Sequence, residues 1–70
     1  MKQPDLKPIL TKRETEVLKQ LAGGALYKEV AAKSSISIDT VKKHTKNIYK
    51  KLQVHSKGEA VVKAIKRNIV

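Results

Sequence analysis

The stretch SISIDTVKKHTKNIYKKL, Ser35 to Leu52, limits most sharply what this chain can become. At the α-helical period of about 3.6 residues per turn, Val41, Thr45, Ile48 and Leu52 fall on one narrow stripe. Lys43, Lys46 and Lys50 fall on the opposite one, with Lys42 at its edge. Between Asp39 and Glu59 there is no acidic residue, yet that interval holds Lys42, Lys43, Lys46, Lys50, Lys51 and Lys57. Such a segment has one face to bury and another to offer an anion.

The way this helix starts follows from its first residues. Ser37 is the natural N-cap, with a hydroxyl placed to accept the amide of Thr40, and Asp39 suits the positive end of the helix dipole. The helix is therefore expected to begin at about Ile38. Lys42, Lys43 and Lys46 then lie within its first turns, which is where recognition helices of helix-turn-helix proteins contact base edges.

A net charge of +10 on 70 residues, with a pI of 10.1, predicts attraction to a polyanion. Phe and Trp are absent and only Tyr27 and Tyr49 are aromatic, so there is little to stack on unpaired bases, and double-stranded DNA is favoured over single strands. A chain this short holds one domain. With no cysteine there is no disulfide and no Cys-based zinc site, and His44 and His55, eleven positions apart, have no carboxylate at ligand spacing to complete a metal centre. No metal, cofactor or small-molecule ligand is expected. Nor is catalysis, because Asp5, Asp39 and the four glutamates form no recognisable pair. No apolar run approaches the ~20 residues of a membrane span, and MKQPDLKP has no apolar centre that would make it a signal peptide. A cytoplasmic location without membrane attachment is expected.

Taken in order, Met1 to Ile9 carries Pro4 and Pro8 without periodicity and reads as an arm or the remnant of a linker, with the folded domain over residues 10–70. Thr11 and Glu14 form a capping box, and Val17, Leu18 and Leu21 mark the inner side of a first helix that Gly23 and Gly24 end. A second, short helix over Leu26 to Lys33 has no evident cap and is expected to bury Leu26, Val30 and Ala31. Ser34 to Ile36 make the short turn into the main helix, which completes a helix-turn-helix. Val54 is expected to plug the core. A last helix opens with a second capping box, Ser56 to Glu59, and carries two apolar edges. Ala60, Val61, Ala64 and Ile65 form one; Val62, Ile65 and Ile69 form the other, a candidate dimer interface. The fold expected is all-α, a four-helix bundle containing a helix-turn-helix.

With these residues laid out, the chain resembles the LuxR-type (NarL/GerE-like) DNA-binding domain of bacterial transcription regulators. The resemblance rests on L-T-K-R-E-T-E-V-L at Leu10 to Leu18, K-E-V-A at Lys28 to Ala31, I-S-I-D-T-V-K-K-H at Ile36 to His44, N-I-Y-K-K-L at Asn47 to Leu52 and E-A-V at Glu59 to Val61. It implies a LuxR C-terminal-like domain whose third helix enters the major groove, commonly as a homodimer on DNA through the fourth, and the output domain of a NarL-family response regulator in a two-component system. Position by position, it implies base contacts from Lys42, Lys43 and Lys46 and phosphate contacts from Lys28, Ser37, Thr40, His44 and Lys50. Glu14 resembles the family's acidic residue that holds the helix-turn-helix together. Tyr27 stands where Asn is commonest, Leu26 where a capping Ser or Thr is frequent, and Ser34 where a core Leu is usual.

Two other readings share part of this pattern. A promoter-reading sigma-factor domain, which also touches RNA polymerase, shares its start, but N-I-Y-K-K-L and S-K-G-E-A-V favour the LuxR type. A basic module that binds protein or anionic membrane without reading bases would use Val62, Ile65 and Ile69 with the lysine face.

Overall fold

The structure, a computed structural model, describes residues 10–69. The arm expected over residues 1–9 lies outside them. Four helices follow one another, α1 (Lys12–Ala22), α2 (Tyr27–Ser34), α3 (Ile38–Leu52) and α4 (Lys57–Lys66), and no strand occurs among the described residues. The third helix packs against each of the other three.

Each helix starts where a side chain can satisfy its free amides. Thr11 Oγ1 accepts from Glu14 N and Glu14 Oε1 accepts from Thr11 N, both at 3.0 Å, which completes the first capping box. Such a pair contributes about 1 kcal/mol. Ser37 Oγ accepts from Thr40 N at 3.0 Å, so α3 begins at Ile38. At α4 only half of the expected box forms: Ser56 Oγ accepts from Glu59 N at 3.2 Å, but Glu59 Oε1 takes the amide of His55, one residue earlier, at 2.7 Å.

The second helix departs most from its sequence pattern. It starts one residue later than expected, and Leu26, expected inside, is 54% exposed. The reason is its position. As the N-cap, Leu26 has extended backbone (φ −84°, ψ 160°), so its side chain leaves the line of the helical stripe. Tyr27 packs against the core instead. Leucine offers no side-chain oxygen, and beside the backbone bonds to the Leu26 carbonyl the start is held by Glu29 Oε1, which accepts from Leu26 N at 2.7 Å.

All four helices end in the same Schellman turn. The amides of Ala25, Ile36, Val54 and Ile69 donate to the carbonyls of Gln20, Ala31, Tyr49 and Ala64 at 3.0, 3.0, 3.0 and 2.8 Å. The residue before each of these amides has positive φ: Gly24 at 96°, Ser35 at 56°, Gln53 at 59° and Asn68 at 57°. The residues that follow are apolar and pack, half-buried, against a core of Val17, Leu18, Leu21, Val30, Ala31, Val41, Ile48, Leu52, Ala60 and Ala64. Val54 is thus folded inward, and Ile69, past the end of α4, is drawn partly back onto the core.

This arrangement predicts opposite effects at two turns. Replacing Gly24 with Ala should cost about 1 kcal/mol from backbone strain alone, since an added Cβ would meet nothing within 4 Å. Gln53→Gly should stabilise by roughly 0.5–1 kcal/mol, because relief of its left-handed strain exceeds the extra freedom glycine gives the unfolded chain. Urea unfolding midpoints of the two variants should move to opposite sides of the parent.

Candidate nucleic-acid interface

The third helix buries Val41, Thr45, Ile48 and Leu52 and leaves Lys42, Lys43, Lys46 and Lys50 exposed. Thr45 can be buried because its hydroxyl donates to the carbonyl of Val41 at 2.9 Å. Asp39, Lys42, Lys43 and Lys46 line one shallow concavity of about 330 Å³ on the outer face. None of these three lysines has an ion-pair partner among the described residues. The structure therefore brings together the three residues expected to touch bases.

The residues expected to touch phosphate are spread around that face. Ser37 Oγ and Thr40 Oγ1 lie 2.9 Å apart, and Ser37 also caps the helix. One hydroxyl proton is used between the two, which leaves the other free to donate outward. Lys28 is exposed on the first turn of α2, and Lys50 continues the lysine stripe along α3. His44 is half-buried and sits on a different side of α3, near enough to Glu14 of α1 for its charge to act on that carboxyl.

Lys51, counted with the basic run in the sequence, has another task. Its Nζ donates to Glu14 Oε1 at 2.8 Å, the same oxygen that accepts from Thr11 N. One carboxylate thus starts α1 and ties it to the last turn of α3. Glu14 is only 4% exposed. Burial pushes its carboxyl up, but the hydrogen bonds from Lys51 and Thr11, with the charges of Lys51 and His44, outweigh this and hold it below its ordinary value. The signal was present in the sequence, since a helical wheel sets Lys51 off the basic stripe and beside His44.

Two further contacts fix α3. Lys63 Nζ of α4 donates to the carbonyl of Leu52 at 3.1 Å, satisfying a free acceptor at the end of α3 with a favourable positive charge. Tyr27 of α2 and Tyr49 of α3 meet at half-buried positions, and burial together with the hydrogen bond to Tyr27 pushes the Tyr49 phenol up to about 12. The Tyr49 phenol therefore stays neutral at any physiological pH.

On α4, Val62 and Ile65 are 53% and 58% exposed, and Ile69 lies beyond the helix, half-buried. No helix among the described residues is long and apolar enough to cross a membrane.

With this geometry in hand, comparison with known proteins is direct. The family described as bacterial regulatory proteins, luxR family, matches residues 8–64. The response regulator protein VraR of Staphylococcus aureus is 41% identical over 69 residues, covering 99% of this chain and 33% of that protein, and VraR of Staphylococcus epidermidis matches equally. Among solved structures, the response regulator ChrA of a heme-sensing two-component system superposes with a TM-score of 0.86 at 35% identity, over 97% of this chain and 33% of that one. The Vibrio cholera VqmA chain, solved as a ligand and DNA complex, gives 0.84 at 29% identity, over 99% of this chain and 30% of that one. The chain belongs to the LuxR family of bacterial regulatory proteins and is a helix-turn-helix domain of DNA-binding transcription regulation. It spans about a third of the length of the relatives it matches.

The Glu14–Lys51 tie has a pH signature. A carboxyl whose pKa is depressed by folding contributes stability that is complete above the unfolded value of about 4.3 and is lost as pH falls through the folded value. Glu14→Gln should therefore cost about 1 kcal/mol near pH 7, a figure discounted because the Lys51 side chain is 37% exposed. The gap between parent and variant should close below about pH 4. Thermal unfolding at pH 7 and pH 3 measures both, and a gap that persisted undiminished at pH 3 would remove Glu14 from this role.

Proposed function

We propose that this domain binds double-stranded DNA sequence-specifically with the N-terminal half of α3 in the major groove, as the output domain of a response regulator. The observation that carries this reading is the concave face of Lys42, Lys43 and Lys46, exposed and unpaired on a helix whose opposite face is buried. Lysine Nζ groups there donate to the O6 and N7 acceptors of guanine. Lys28, Ser37, Thr40, His44 and Lys50 hold phosphates and set the register, which carries no sequence information itself. Tyr27 stacks on no base, being packed against the core.

The domain acts as a homodimer on DNA, using the exposed edge of Val62 and Ile65 with Ile69 at its end. Residues 1–9 join the folded part, residues 10–70, to a preceding domain. This is supported by the length of VraR and ChrA, which are about three times as long as the segment they share with this chain. RNA polymerase is a further partner at promoters. The domain works in the cytoplasm, where bacterial DNA lies, with no catalytic or membrane role.

Selection of duplexes from a random library at about 0.15 M salt tests the reading, because weak phosphate attraction is then partly screened. A shared motif, arranged as an inverted repeat, is the expected result; retention of DNA with no enriched motif would leave only a basic module. Lys43→Ala or Lys46→Ala should weaken binding to the selected site by about 1–3 kcal/mol and relax preference at particular base pairs. Lys28→Ala should instead weaken all sequences alike and flatten the salt dependence by about one unit of slope. Val62→Asp with Ile65→Asp should abolish preference for the paired half-sites while leaving a single half-site bound.

A further inference from the structure

Every described glutamate is engaged. Glu14 holds Thr11 and Lys51, Glu16 pairs with Arg13 at 3.7 Å, Glu29 takes the amide of Leu26, and Glu59 takes that of His55. Asp39 is the exception. It is exposed, and among the described residues it has no hydrogen-bond or ion-pair partner, although Lys42, Lys43 and Lys46 line the same concavity. On the helical wheel it falls between Lys46 and Lys50, in the middle of the lysine face rather than at its margin.

A carboxylate in that position faces whatever the lysines face. Against phosphate oxygens, guanine O6 and N7 or thymine O4 it is repelled, since all are acceptors. The groups in the major groove that can satisfy it are exocyclic amines, cytosine N4–H above all and adenine N6–H second. Ser37 already caps the helix through Thr40 N, so the start of α3 does not rely on Asp39 for a hydrogen bond.

We infer that Asp39 is a specificity-determining residue, which accepts a hydrogen bond from the amino group of a cytosine while a lysine of the same concavity donates to guanine O6 and N7. This rests on base reading by α3 as proposed above. The two charges then discriminate one C·G pair by opposite chemistries, and a base without an amino group at that place leaves the carboxylate desolvated and unpaired.

The test is duplex selection with the 70-residue parent and with D39A and D39N, followed by binding to the parental site and to variants at each position, with circular dichroism to confirm that each protein is folded. The parent should require an amino-bearing base at one position per half-site. D39A should lose about tenfold discrimination there and nowhere else, and should bind unrelated DNA more tightly because a like charge to phosphate is gone. D39N should move the preference at that position from cytosine toward adenine, which matches the donor and acceptor of an amide. If the parent yields a motif and both variants yield the same one, with affinity changed equally for all sequences, Asp39 serves only the helix dipole and the inference is overturned while base reading stands. A parent that enriches no motif removes base reading and the inference with it.

Discussion

A row of lysines along one side of a helix opposes the helix that carries it. Lys43 and Lys46 are three positions apart, and Lys42 and Lys46, like Lys46 and Lys50, are four apart; like charges at such spacings destabilise an isolated helix by a few tenths of a kcal/mol per pair. Burial of Val41, Ile48 and Leu52, each at most 1% exposed, offsets this many times over, at about 1.5–3 kcal/mol per side chain. The fold follows from that requirement. Helices α1, α2 and α4 all pack on the same stripe, and none covers the lysine face.

Because the core is small, the ends of the helices carry an unusual share of the organisation. Four Schellman turns place Ala25, Ile36, Val54 and Ile69 against the core, so each chain reversal also closes part of the apolar cluster. Glu14 and Lys63 then bind the last turn of α3 from two sides, one through Lys51 and the other through the carbonyl of Leu52. The N-terminal half of α3 is held by its cap at Ser37, the turn from α2 and the burial of Val41 and Thr45.

The sequence shows these features unevenly, for a physical reason. Helices α1 and α3 could be bounded closely because Thr11 and Ser37 are side-chain caps, and a hydroxyl three residues before its target amide is a local signal. The start of α2 was hidden, since Leu26 caps through backbone geometry and its exposure depends on Tyr27 filling the space. Glu59 was legible as a capping partner but not its choice of the His55 amide, which needs the fold of the connector. In the interface, the lysine face follows from periodicity alone. Periodicity sets Lys51 off that face but does not show its partner Glu14, 37 positions away on α1, nor that Asp39 has no hydrogen-bond or ion-pair partner among the described residues.

That last asymmetry bears on how a domain of charge +10 can be selective at all. Attraction to phosphate is the same for every sequence, so each additional lysine that meets only phosphate strengthens specific and nonspecific binding together and leaves their ratio unchanged. Selectivity rises only through groups that penalise the wrong sequence. A lysine does this weakly, because it can turn to a phosphate when its base acceptor is missing. A carboxylate in the same groove has no such refuge, since phosphate repels it and only a base amine accepts its company. On the role inferred for Asp39, one unpartnered aspartate among the lysines lowers the affinity for most DNA and restores it at a matching pair, which is the difference that a regulator needs.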